Sequence, residues 1–102
     1  MAIGEVTIIP LGTGTPSISK HLARALRALR GEKDIEYELT SMGTIIEGEL
    51  GKILGAARKM HEAVFGEGIL RVETIIKIDD RRDKALSMKG KIESLQKELE
   101  RS

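Results

Sequence analysis

The sequence predicts an α+β fold, and three observations carry the prediction. Several segments place apolar residues at every second position, as half-buried strands do, and others place them at the three- and four-residue spacing of an amphipathic helix. The connections between them are short and rich in glycine and threonine. The resulting order is strand, helix, strand, strand, helix, strand, and then one more helix.

Residues 3–11 read as the first strand, with Val6, Ile8 and Pro10 alternating with Glu5, Thr7 and Ile9 until Gly12-Thr13-Gly14-Thr15 breaks the pattern. Thr15 followed by Pro16 reads as a helix cap with proline at the first helical position, where a missing N–H costs nothing. Ile18, Leu22, Ala25, Leu26 and Leu29 then recur at helical spacing, Lys20, Arg24, Arg27 and Arg30 turn outward, and Gly31 stops the helix. Ile35, Tyr37 and Leu39 alternate as a second strand, and Ser41-Met42-Gly43 turns tightly into a third, Thr44 to Gly48, so that the two form a hairpin. Leu50, Ile53, Leu54, Ala57, Met60, Val64 and Phe65 mark a second helix ended by Gly66 and Gly68. Leu70, Val72, Thr74, Ile76 and Ile78 mark the fourth strand, and a charged turn from Asp79 to Lys84 follows. Ser87 caps a last helix bearing Ile92, Leu95 and Leu99, a stripe that either closes over its own protomer or clasps a neighbour.

This order is the ferredoxin-like βαββαβ arrangement, a four-stranded antiparallel sheet with two helices on one face and here an extra C-terminal helix. The chain of 102 residues is expected to be one domain, residues 1–102. The other face of the sheet stays open. Glu5, Thr7 and Ile9, Glu36, Glu38 and Thr40, and Glu73, Ile75 and Lys77 are assigned to it. Either Thr44 and Ile46 or Ile45 and Glu47 join them, since a one-residue slip exchanges the faces. So mixed a face suits subunit packing or the floor of a ligand site.

Composition removes several classes of function. The net charge is +1 with acids and bases interspersed, and there is one Phe, one Tyr and no Trp, so neither a basic stripe nor a stacking platform for nucleic acid exists. There is no cysteine, which removes disulfides, thiolate nucleophiles and thiolate metal sites. No secretory signal or membrane-spanning apolar run is evident, and a cytoplasmic protein with no membrane partner is the expectation. No cofactor motif is present and none is expected: the loop at Gly12 lacks the Lys-Ser/Thr of a P-loop, and the serines show no Gly-x-Ser-x-Gly elbow.

Three segments carry a family resemblance. They are Glu5-Val6-Thr7-Ile8-Ile9-Pro10-Leu11-Gly12-Thr13-Gly14-Thr15-Pro16-Ser17, Tyr37-Glu38-Leu39-Thr40-Ser41-Met42-Gly43-Thr44-Ile45-Ile46-Glu47-Gly48 and Ile76-Lys77-Ile78-Asp79-Asp80-Arg81-Arg82-Asp83. Together they resemble the small thiamine-binding protein family over residues 2 to 99. The resemblance implies a ferredoxin-like protomer that assembles through its sheets into a homotetramer, a dimer of dimers. It also implies binding of thiamine or a related pyrimidine, without catalysis. An unidentified signalling molecule is a second reading of the ligand. Ligand-binding repeats occur in longer proteins of this kind, and a single copy implies a site completed across subunits.

Candidate ligand residues follow, each with a plainer use beside it. Thr13, Thr15 and Ser17 form a hydroxyl-rich loop ahead of a helix N-terminus that suits a phosphate; it equally suits a strand-to-helix turn. Glu38 and Glu47, flanked by Thr40 and Thr44, suit an aminopyrimidine donor or a thiazolium cation; they equally suit solvent-facing strand glutamates. The resemblance gives weight to Glu47, and Thr7 on the open face completes the set. Tyr37 reads as a core residue by its alternation. Asp79, Asp80 and Asp83, interleaved with Arg81, Arg82 and Lys84, read as ion pairs at a subunit interface rather than as a calcium loop, and His21 and His61 read as lone surface residues. Two rivals to the binding reading stand: an assembly module that consumes the open face, and an enzyme on phosphorylated metabolites with Glu47 as its base.

Overall fold

The computed structural model describes residues 1–101. Its elements are β1 (Ala2–Leu11), α1 (Ser19–Arg27), β2 (Glu36–Leu39), β3 (Thr44–Gly48), α2 (Leu50–Val64), β4 (Arg71–Asp80) and α3 (Met88–Glu100). The strands form one antiparallel sheet in the order β2-β3-β1-β4, which is the ferredoxin-like arrangement.

The alternation of β1 decides the layering. Ala2, Gly4, Val6, Ile8 and Pro10 are buried against the helices while the residues between them are half-exposed on the open face. α2 turns Ile53, Ala56, Ala57, Met60 and Val64 toward them, and α1 contributes Ala25 with Leu29 just beyond its end. Ile46 enters the same core from β3. Each large side chain buried in this way contributes about 1.5–3 kcal/mol.

The pairing is uneven along β1. All ten residues pair with β4, but only Ala2 to Val6 pair with β3, which ends opposite Val6 at Thr44. From Thr7 to Leu11 one edge of β1 therefore has no strand beside it. Pro10, which has no N–H to donate, lies in this stretch.

The register settles which face each residue of β3 takes. Ile45 pairs with Glu5 and Glu47 with Ile3, so both lie on the open face, whereas Thr44 and Ile46 face the helices. Glu36 and Glu38 of β2 join Ile45 and Glu47, and Glu73, Ile75 and Lys77 join from β4.

Three expectations are corrected. Thr15 does not cap α1; the helix starts at Ser19 after Ile18, which makes no side-chain cap. The hydroxyls upstream are used within the loop instead, where Thr15 Oγ1 accepts from Ser17 N–H at 3.3 Å and Thr13 Oγ1 donates to the Thr15 carbonyl at 2.5 Å. Gly12 and Gly14, both at φ +74°, bend the chain in a way that delays the helix. Tyr37 lies on the helix side of the sheet but is 43% exposed, because β2 is an edge strand beyond the reach of the helices. Leu70 falls outside β4 and is exposed.

No helix among the described residues is long and apolar enough to cross a membrane. α3 buries none of its residues.

Gly4 permits the close seat of α2 on the sheet, since a Cβ there would lie 2.8 Å from Ile53 Cγ2 and 3.1 Å from Ile78 Cδ1. Gly4→Ala is expected to destabilise the protein by ~1–3 kcal/mol through overpacking. Gly51→Ala, where an added Cβ meets nothing within 4 Å, is expected to stabilise it by roughly 0.5–1 kcal/mol through helix propensity. Chemical denaturation of the two variants beside the wild type checks both signs.

Candidate functional site

The missing length of β3 makes a cleft. Where the hairpin turns away from β1, the gap is walled by α1 and closed by the turn at residues 40–43, leaving a cavity of about 280 Å³. Ile18, Leu22 and Leu26 form its apolar wall, and Met60 and Ala25 reach it from the core. None of its lining residues is ionisable.

The turn is built rigidly from its own side chains. Thr40 Oγ1 accepts from the N–H groups of Met42 at 3.2 Å and Gly43 at 3.1 Å, and donates to the Gly43 carbonyl at 2.8 Å. Thr7 Oγ1 donates to the Met42 carbonyl at 3.1 Å and so ties the turn to β1. Gly43 sits so close that a Cβ would lie 2.9 Å from the Val6 carbonyl oxygen. That carbonyl therefore points toward the hairpin, and by strand alternation the main-chain N–H and C=O of Ile8 point the same way, into the cleft beyond the end of β3.

Thr44 is the polar side chain left over. It is 6% exposed, lines the cleft, and its hydroxyl makes no hydrogen bond among the described residues. The hydroxyl opens on the cleft rather than being sealed away, as the unpartnered His21 Nδ1 and Arg24 Nη1 are, so a ligand in the cleft can bond it.

The sheet divides the expected site residues. Thr7 and Thr44 meet at the cleft. Glu38 and Glu47 lie on the open face with Glu36, which pairs directly across the strands with Glu47; Thr7 belongs to that same face and Thr44 to the helix side. These three carboxylates make no ion pair among the described residues, and no group that could hold a metal ion occurs there. Thr13, Thr15 and Ser17 lie in an exposed loop that spans from the strand bearing Ile9 to Ile18, both of which line the cleft. Ile8 through its main chain, Ser41 and Met42 join the site without having been expected. Their signal was the length mismatch between the first and third strands, nine predicted residues against five.

On the open face, the first turn of α3 stands over a trough of about 230 Å³ between Ile3, Ile45, Met88 and Ile92. Its base is fixed by the Ser87 cap, whose Oγ accepts from Gly90 N–H at 3.0 Å, and by an ion pair from Lys91 to Asp79. Asp80 and Asp83 are likewise paired, with Arg82 at 2.9 Å and with Arg81 at 2.6 Å. Bonding to Arg81 holds the Asp83 carboxyl below its ordinary value. The expected ion pairs thus form within the chain.

Neither histidine is a lone surface group. His61 Nδ1 lies 2.7 Å from Thr74 Oγ1, and its ring meets Phe65 edge-on at 5.3 Å. His21 is half-buried on α1, with its Nδ1 unbonded. Arg24, one turn further on, donates to the Phe65 carbonyl at 3.1 Å.

The model of a family described as thiamine-binding protein matches residues 4–96. The UPF0045 protein YqgV of Bacillus subtilis is 50% identical over 103 residues, covering 98% of this chain and 99% of that one. A UPF0045 protein of Staphylococcus xylosus is 42% identical, covering 97% and 95%. Among solved structures, MJ1052 of Methanocaldococcus jannaschii superposes with a TM-score of 0.84 at 35% identity, over 93% of this chain and 95% of that one. A candidate thiamine biosynthesis/salvage protein from Thermotoga maritima shares the fold, with a TM-score of 0.72 at 16% identity over 92% and 97%.

The Glu67 carboxyl, bonded to Lys20 at 2.8 Å, is held below its ordinary value by that bond first and by the Lys20 charge second. A lowered folded value means the pair stabilises the fold above the unfolded carboxylate's value and loses that effect as pH falls through the folded one. Glu67→Gln is expected to melt slightly below wild type at neutral pH, and the two curves to converge in acid. Thermal scans across pH check this.

Proposed function

This chain belongs to the thiamine-binding protein family, and from that premise we infer that it binds thiamine or its hydroxymethylpyrimidine half in the cleft at the hairpin end, without catalysing a reaction. The observation that carries the reading is an apolar cleft, large enough for a substituted heteroaromatic ring, onto which the Thr44 hydroxyl opens without a partner among the described residues. The faces of the ring pack against Ile18, Leu22 and Leu26. Its exocyclic amine and ring nitrogens find the Thr44 hydroxyl and the main-chain groups of Ile8. The thiazolium cation gains nothing from a cleft without a carboxylate, so it remains at the mouth.

Thr13, Thr15 and Ser17 stand beside that mouth and are the groups nearest to a phosphate on a phosphorylated ligand. Glu38 and Glu47 reach a ligand only from a neighbouring copy, which agrees with a site shared between subunits in a dimer of dimers. Absence of an ionisable group in the cleft argues against turnover, because a general acid or base must lie within hydrogen-bond reach of the reacting atom.

A second reading is favoured by one specific observation: Ile75 on the open face is 56% exposed and α3 buries nothing, as an assembly module would have it. Isothermal titration separates the two. Saturable binding of thiamine or hydroxymethylpyrimidine is expected, weakened about tenfold, or ~1.4 kcal/mol, in the isosteric Thr44→Val variant. Glu47→Gln is expected to weaken binding only where the protein is assembled. If neither compound gives heat, the ligand reading fails and assembly stands.

A further inference from the structure

Beyond Thr44, the last residue of β3 paired with β1, two contacts hold the hairpin turn in place. The Thr7 hydroxyl donates to the Met42 carbonyl at 3.1 Å, and the Gly43 backbone lies against the Val6 carbonyl. A Cβ at Gly43 would come within 2.9 Å of both the Val6 oxygen and Thr7 Oγ1, closer than real side chains approach. Gly43 is not in the left-handed region, so glycine is needed there for the close approach alone. The turn cannot absorb an added methyl internally, because Thr40 Oγ1 ties it to itself through Met42 and Gly43. It would have to move away from β1 as a unit, and the cleft lies between the two.

We propose that Gly43 and Thr7 set the width of the cleft, and with it a preference for one six-membered heteroaromatic ring over two fused ones, a limit that rests on the cleft being the ligand site. Polar recognition cannot supply that limit. The Thr44 hydroxyl and the main-chain groups of Ile8 meet a single amine-and-nitrogen edge, and an aminopurine carries the same edge as an aminopyrimidine. Discrimination between them therefore falls to a wall that the larger guest would have to displace. Leu22 and Leu26 are packed against the core, which leaves the turn as the wall whose position a few contacts decide.

The test is isothermal titration with 4-aminopyrimidine and 4-aminoquinazoline, which share one polar edge and differ by a fused ring. Wild type is expected to bind the pyrimidine more tightly. Gly43→Ala and Thr7→Val are each expected to move the ratio of the two affinities toward the quinazoline by about fivefold or more. Thr7→Ser, which keeps a donor for the Met42 carbonyl, is expected to restore the wild-type ratio. A lost ligand contact or a general loss of stability would weaken both probes alike and leave the ratio where it was. Thr7→Val is the milder change and decides the matter if circular dichroism shows Gly43→Ala to be unfolded. An unchanged ratio in folded Thr7→Val would overturn the proposal and leave the cleft as a ligand site. A wild type that prefers the quinazoline would do the same. If neither probe binds wild type, the proposal falls together with the reading of the cleft as the site.

Discussion

The pairing of β1 with both of its neighbours is the constraint on which the rest depends. Its even-numbered residues supply the floor of the core and its odd-numbered residues the open face, so one strand assigns the sides of the whole sheet. α2 can seat on that floor because Gly4 leaves room for Ile53. The strand is flanked on one side by a ten-residue ladder and on the other by a five-residue one. That inequality, rather than any special residue, opens the cleft.

The molecule keeps opposite chemistry on its two sides. Behind the hairpin the cleft is uncharged and its polar capacity comes from Thr44 and the backbone of Ile8. In front of it Glu36, Glu38 and Glu47 gather at one corner of the sheet. Thr44 and Glu47 are three apart, an odd number, and in a strand an odd spacing means opposite faces. An uncharged, largely apolar cleft and a solvated group of carboxylates are thereby kept apart by only a few residues.

Much of this was legible beforehand. The order and type of all seven elements followed from periodicity, and the bounds of the third strand matched. The start of α1 did not, because Thr15 and Pro16 satisfy the local rules for a cap while the two left-handed glycines upstream turn the chain elsewhere. Tyr37 alternates like a core residue, but alternation reports which side a residue faces and not whether a helix covers it. Thr44 and Glu47 could be named together and not sorted, since the parity of β3 is fixed by its pairing with β1. The cleft itself was beyond periodicity: it is a space left where one strand stops before its neighbour does.

Pro10 gives that space a further property. The exposed edge of β1 beyond Val6 would ordinarily invite an extended peptide to add itself as a fifth strand. With no N–H at Pro10 and the hairpin turn tied down by Thr7, such a guest would find an incomplete ladder and a blocked approach. The gap is thus shaped for a compact guest that needs only one or two polar partners, and poorly suited to a chain that needs a regular row of them.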